Sequence, residues 1–206
     1  MPEPGRLIVL DGPDGCGKTT QVHLLAEALR GRGLEVATVR DPGGTSLGER
    51  VRRWLLRPAS GEVSARAEVL LYMASRAELT ARIILPAVMA GKVVVADRFY
   101  WASVAYQGVG RGLGVEPVLD LARFACAGLE PTLTVILDMD PMDALRRRGE
   151  GSPDRIESRS IAYHQRVRAG FRQLAEAYPE VVKLVPADGP IEAVHAQVMR
   201  EVEGVL

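Results

Sequence analysis

Residues 9–21 read VLDGPDGCGKTTQ, an apolar run, a glycine-rich turn and a helical pattern in immediate succession. Gly12, Gly17, Lys18 and Thr19 fit the pattern Gly-x-x-x-x-Gly-Lys-Ser/Thr, and the order strand, loop, helix is the context that pattern requires. The spacing has a physical reason. Glycines let the backbone curl so that its amides point inward at phosphate oxygens, and the following helix turns its positive N-terminus to the same anion. Lys18 is placed to reach the terminal phosphates of a nucleotide and the Thr19 hydroxyl to ligate Mg²⁺. Gly12, Pro13, Asp14, Gly15, Cys16, Gly17, Lys18, Thr19 and Thr20 are therefore the expected phosphate-binding stretch. A loop of this kind alone leaves a GTPase switch, an ATP-driven motor and a small-molecule kinase all open.

The rest of the chain is compatible with that start. Apolar runs of strand length occur at residues 7–10, 36–39, 93–96, 133–137 and 181–185, several of them rich in Val and Ile. Helical spacing fills the intervals 19–30, 47–56, 65–89, 115–126, 141–148, 156–178 and 191–205, with Pro86 expected to end or kink the third. Alternation of this kind predicts an α/β fold with a parallel sheet covered on both faces. At 206 residues and 47% hydrophobic, the chain can bury one sizeable core, and one domain spanning 1–206 is expected. Twenty-six basic residues balance twenty-six acidic ones, so no global field favours nucleic acid. Cys16 and Cys126 are too few for a disulfide framework, and no run nears the roughly 18 apolar residues of a membrane span. A reducing, cytoplasmic setting is the expectation.

Further motifs narrow the choice. Tyr72 and Arg76, in LLYMASR, are four apart and share a helix face, where an aromatic surface and a planar cation can meet one ligand. Read alone, the pair fits a core aromatic and a surface cation as well. Ser103 and Gln107 have the same spacing, although either could instead satisfy loop backbone. Asp97 and Arg98 follow VVVA at the carboxyl end of a predicted strand, where open parallel sheets place their ligands. An acid there can hold magnesium through water and an arginine can bind phosphate bidentately; an internal ion pair is the alternative.

With these residues in place, the chain resembles the thymidylate kinases over nearly its whole length, through GPDGCGKTT, RDPGGTSLGERVR, LLYMASR, DRFYWASVAYQGVGRGL and DRIE. The resemblance implies ATP as phosphoryl donor, dTMP as acceptor, Mg²⁺, a P-loop kinase fold with sheet order 2-3-1-4-5, and a homodimer. It implies that Tyr72 stacks on thymine, where the family more usually has Phe, and that Arg76 donates to the 4-oxo group. It sets Ser103 and Gln107 at the thymine edge, Tyr106 against the deoxyribose, and Arg52 and Arg98 on the acceptor phosphate. Asp97 joins Thr19 at the metal. Asp41 stands where the family usually shows Glu, one methylene longer. Asp14 is set near the sugar 3′-hydroxyl and the metal-bound water, while a plain turn-forming role stays equally open.

Loop positions 13–16 carry no arginine, unlike one branch of the family. The other branch supplies transition-state cations from a lid, and RRRGEGSPDR, residues 146–155, offers Arg146, Arg147, Arg148 and Arg155. Arg148 and Arg155 are the expected pair, joining Lys18, Asp14 and Arg98 as catalytic residues, although cations complementing a helix end account for at least one of the first three. His23, His164 and His195 lie outside every site motif, consistent with an already anionic acceptor that needs no base. The expected reaction is ATP plus dTMP giving ADP plus dTDP. Its rivals are a kinase of dUMP or of a nucleoside, a nucleotide-dependent switch, for which no NKxD motif is present, and a catalytically silent paralogue.

Overall fold

A computed structural model of the chain describes residues 5–58, 61–148 and 153–206, with the Arg148 side chain left outside the description. The described elements run β1 (Arg6–Asp11), α1 (Lys18–Gly31), β2 (Val36–Arg40), α2 (Ser46–Leu56), α3 (Ala65–Leu79), α4 (Leu85–Met89), β3 (Val93–Asp97), α5 (Tyr100–Ser103), α6 (Val115–Ala125), β4 (Leu133–Asp138), α7 (Pro141–Arg148), α8 (Ile161–Ala177), β5 (Val182–Pro186) and α9 (Ile191–Glu203). The strands form one parallel sheet in the order β2-β3-β1-β4-β5, as expected.

Both sheet faces are covered, which is why the central strands β1, β3 and β4 read as nearly unbroken apolar runs, whereas edge strands β2 and β5 are only partly buried. Leu7 and Val9 of β1 enter one core with Val69 of α3, Val118 of α6 and Phe171 of α8. Ile8 and Leu10 enter the other, with Leu25 of α1 and Val198 of α9. Leu10 and Leu25 are fully buried, so truncating either to Ala would cost about 2–5 kcal/mol. Among the described residues no helix is long and apolar enough to cross a membrane.

Two helical expectations change. Pro86 does not stop the third helix; the ladder widens over Thr80–Ile84 into a π turn, with Leu85 N–H donating to Thr80 C=O, and α4 carries Pro86 in its first turn, where a missing N–H costs nothing. The helix expected from residue 156 starts only at Ile161. Asp154 Oδ1 accepts from the backbone N–H groups of Ile156 and Glu157 at 2.7 and 2.9 Å, closing a separate turn, and Ser160 caps α8 by accepting from Tyr163 N–H. Of the expected lid at 146–155, residues 149–152 and the Arg148 side chain lie outside the described residues.

The topology sets up the site. Moving outward from β1 to β3 on one side and to β4 on the other, the sheet changes winding direction, and the carboxyl ends of the strands there form a crevice. Asp11 ends β1, Arg40 pairs in register with Asp97 at the ends of β2 and β3, and Asp138 ends β4, so polar termini gather along one edge.

Candidate active site

A cavity of about 380 Å³ opens at that edge. The phosphate loop lines it through Asp14, Gly15, Gly17, Lys18, Thr19 and Thr20, whereas Gly12, Pro13 and Cys16 do not line it. Glycine is obligatory twice. A Cβ on Gly12, at φ +133°, would lie 2.4 Å from the Leu137 carbonyl oxygen, and one on Gly15, at φ +87°, would lie 2.2 Å from that of Ala144. Gly17 heads α1 without a side-chain cap, which leaves the amides of the first turn for an anion. Lys18 is buried, its ammonium donating to the Pro13 and Gly12 carbonyls at 2.8 and 3.3 Å.

Arg98, just past β3, organises the floor. Its backbone lies in the left-handed region at φ 71°, a cost for a residue with a Cβ. Its N–H donates to Leu10 C=O at 2.9 Å, locking the turn to β1. The guanidinium then donates to Asp11 Oδ1 and Gly12 C=O, each at 2.7 Å, to Asp14 Oδ1 at 2.5 Å and to Tyr106 Oη at 3.2 Å. Burial alone would push the Asp14 carboxyl up, but Arg98 and Lys18 hold it well below the usual carboxylate range. Tyr106 donates its hydroxyl to the same carboxylate at 3.0 Å while its ring lies 5.0 Å beneath the Arg98 guanidinium. Asp14 is therefore an ionised acceptor tied into the floor and no proton-taking base.

All eight residues expected for the acceptor line the cavity: Asp41, Arg52, Tyr72, Arg76, Arg98, Ser103, Tyr106 and Gln107. Tyr72 and Arg76 come from one face of α3. Ser103 ends α5, and the chain continues into a π turn, Val104–Gly110, which carries Tyr106 and Gln107 into the same space. Arg76 is 1% exposed, with Nε donating to Asp41 Oδ2 at 2.5 Å and Nη2 to Ser103 Oγ at 3.0 Å. Asp41 thus serves as the clamp on Arg76, a use the shorter side chain suits. Burial pushes its carboxyl up, with Arg76 pulling the other way. Arg52 Nη1 donates to the Pro42 carbonyl at 3.0 Å, which holds another cation at the cavity wall.

Known proteins resemble this chain over nearly its whole length. A family model described as thymidylate kinase matches residues 10–198. The chain belongs to the thymidylate kinase family. A thymidylate kinase from Pelotomaculum thermopropionicum is 44% identical over 204 residues, 98% of this chain and 94% of that protein. One from an Exiguobacterium species is 42% identical over 196 residues, 95% of this chain and 92% of that one. The crystal structure of thymidylate kinase from Ehrlichia chaffeensis superposes with a TM-score of 0.78 at 31% identity, covering 97% of this chain and all of that one.

The remaining residues fit a thymidylate kinase site unevenly. Thr19 Oγ1 donates to Asp97 Oδ2 at 3.0 Å, so a hydroxyl and a carboxylate meet at the mouth of the phosphate loop, a hard-oxygen pair of the kind magnesium takes together with phosphate oxygens. Arg147 lines the cavity and donates to the carbonyls of Ala187 and Asp188, both at 2.7 Å, joining α7 to the loop after β5. Arg146 pairs with Asp143 on the surface.

Arg155 requires a correction. Expected as a lid cation aimed at the transferring phosphoryl, it is 9% exposed, does not line the cavity, and donates from Nε to Leu55 C=O at 2.7 Å and from Nη2 to Glu68 Oε2 at 2.8 Å. A buried carboxylate outbids solvent and cavity for it. Arg155→Met is accordingly expected to lower stability by about 2 kcal/mol, less than the loss from an unsupported buried pair because Glu68 keeps other partners. In melting temperature that is about 4–8 °C for a domain of this size. Calorimetry beside steady-state kinetics checks it, and a large fall in turnover with an unchanged melt would restore the catalytic assignment.

The roles of two residues that hold cavity residues in place are not legible in the sequence. Asp11 carries no motif letter of its own, yet it is fully buried and anchors Arg98. Glu68 has a legible signal, since 68, 72 and 76 fall on one helix face, but what it binds could not be read.

Proposed function

We propose that this chain transfers the γ-phosphoryl group of ATP to the 5′-phosphate of dTMP, giving ADP and dTDP by direct in-line displacement. The observation that carries this is the convergence of a phosphate loop and eight acceptor-type residues on one cavity. On this reading the loop amides, the α1 N-terminus and Lys18 hold the donor phosphates. Arg52 and Arg98 hold the acceptor phosphate, Arg98 beside Lys18 through Gly12 and Asp14, so that attacking and leaving oxygens come into line. Tyr72 lies along the base, Arg76 donates to its 4-oxo group, and Ser103 and Gln107 meet its edge.

The acceptor oxygen is already anionic, so no group need take a proton, and positioning and charge carry the rate. Thr19 and Asp97 are the residues that would hold Mg²⁺, which supplies neutralisation of charge on the phosphates when bound. Arg147, between α7 and the loop after β5, supports a lid role for residues 146–155, with Arg148 as its catalytic cation; Arg155 is not part of that assignment. The likeness to the family supports a single domain with a lid, a homodimer and a cytoplasmic setting.

A site built to meet a donor at N3 and an acceptor at position 4 leaves groups unpaired against cytosine, whose pattern there is reversed. Thymine differs from uracil by one methyl, worth only about 1–3 kcal/mol. Coupled ADP release with ATP, Mg²⁺ and each of dTMP, dUMP, dCMP, dAMP, dGMP and thymidine tests the proposal. Turnover is expected with dTMP, weaker turnover with dUMP and none approaching either with the rest. Failure of every acceptor despite ATP binding would overturn it.

A further inference from the structure

Glu68 is the most heavily engaged carboxylate among the described residues that the reaction scheme leaves unused. It sits in the first turn of α3 and is fully buried. Its two oxygens accept from Arg155 Nη2 at 2.8 Å, Arg159 Nη2 at 2.5 Å, Arg159 Nη1 at 3.2 Å, Arg111 Nη1 at 3.5 Å and Gln107 Nε2 at 3.0 Å. Burial would push the carboxyl up, but the bonds from Arg159 and Gln107 outweigh it and hold it below the ordinary range. Glu68 is therefore ionised and can only accept.

That restriction passes to Gln107. A carboxamide facing an ionised carboxylate must turn its nitrogen to it, because oxygen against oxygen would be repulsive. Gln107 also lines the cavity and is 2% exposed, so the opposite end of the same planar amide, the carbonyl oxygen, is what it presents there. A presented carbonyl pairs with a ring N–H and not with a bare ring nitrogen. Resting on the reading of the site as a dTMP site, we infer that Glu68 is a positioning residue for base selection: it locks the Gln107 amide with its oxygen toward the acceptor base, favouring 4-oxopyrimidines, which carry N3–H, over cytosine, which does not. The three arginines keep Glu68 charged and immobile, and two of them, Arg155 and Arg159, come from the turn that follows residues 149–152, so base selection and the foot of the expected lid share one anchor.

The test compares kcat/KM for dTMP and dCMP in the wild type, Glu68→Gln and Arg155→Met. Glutamine keeps the shape of Glu68 but can donate as well as accept, which frees Gln107 to flip and offer its nitrogen to cytosine N3. The dTMP-to-dCMP ratio is expected to fall about tenfold in Glu68→Gln, with KM for ATP little changed, because a fixed polar contact becomes reversible. Arg155→Met loosens the same cluster without touching the Glu68–Gln107 bond, so it should melt earlier and keep the wild-type ratio. A folded Glu68→Gln enzyme with an unchanged ratio overturns the inference, as does an equal loss of ratio in Arg155→Met, which would mark the cluster as scaffold alone. Should Glu68→Gln not fold, Glu68→Asp keeps the charge for the arginines but withdraws it from Gln107; a lowered ratio there supports the inference and a wild-type ratio overturns it. A wild-type protein that does not phosphorylate dTMP fails the functional reading itself, and that outcome is distinct from a selective enzyme whose selectivity ignores Glu68.

Discussion

Replacing Lys18 by methionine is expected to reduce turnover by about 10²–10³-fold, the usual cost of removing one charge-stabilising donor from a transferring or developing anion, while leaving the melting temperature close to wild type. The stability half follows from burial. Lys18 is 7% exposed and its ammonium is bonded mainly to neutral carbonyls, with Asp14 3.9 Å away and that acid already satisfied by Arg98. A buried cation held so loosely stabilises little, and an apolar chain of similar length replaces it at small cost. Steady-state kinetics and calorimetry on the same preparation separate the two effects. A rise in KM for ATP with kcat intact would assign Lys18 to ground-state binding only.

Arg76→Ala should damage two properties together. Asp41 is fully buried, its Oδ2 is held by Arg76 and its Oδ1 has no partner, so the variant leaves an uncompensated buried carboxylate, at about 3–5 kcal/mol near neutral pH. KM for dTMP should rise sharply and KM for ATP stay near its original value, because the lost contact belongs to the base. The pH dependence has a definite sign. The folded-state carboxyl already stands above its ordinary value of 3.8, and losing Arg76 raises it further, so the folded state binds the proton more tightly than the unfolded one. The variant therefore regains stability as pH falls from neutrality toward 3.8, over the interval between the two values. Adding Asp41→Asn should recover much of the loss at neutral pH and leave KM for dTMP high. A variant that melts like wild type would show that Asp41 and Arg76 are not an interdependent pair.

Particular residues show where sequence reasoning held and where it stopped. The strands were legible because the central strands β1, β3 and β4 are buried on both faces, which makes most of their positions apolar, while edge strands β2 and β5 keep short Val-rich runs. The phosphate loop was legible because its chemistry is local: Gly12, Gly15, Gly17, Lys18 and Thr19 act within one turn. The acceptor residues came from several separate stretches, and the resemblance to a known family, with i, i+4 spacing at Tyr72 and Arg76, brought them to one cavity. Asp41 could not be assigned a role from its letter, since the partner that defines it is Arg76, thirty-five positions away.

Charged residues in the lid region failed for the same reason. Four arginines within residues 146–155 look interchangeable in sequence, and nothing local distinguishes Arg147, which joins two elements at the cavity, from Arg155, which turns inward. The deciding group is Glu68, eighty-seven positions from Arg155 in the chain and unremarkable on its own helix. The sequence by itself determined the layers, the strand order through family likeness, and the phosphate loop, because apolar period and glycine spacing act over a few residues. Only the tertiary structure decided which arginine lines the cavity and which faces a buried acid, because a guanidinium goes to whichever carboxylate the fold desolvates beside it.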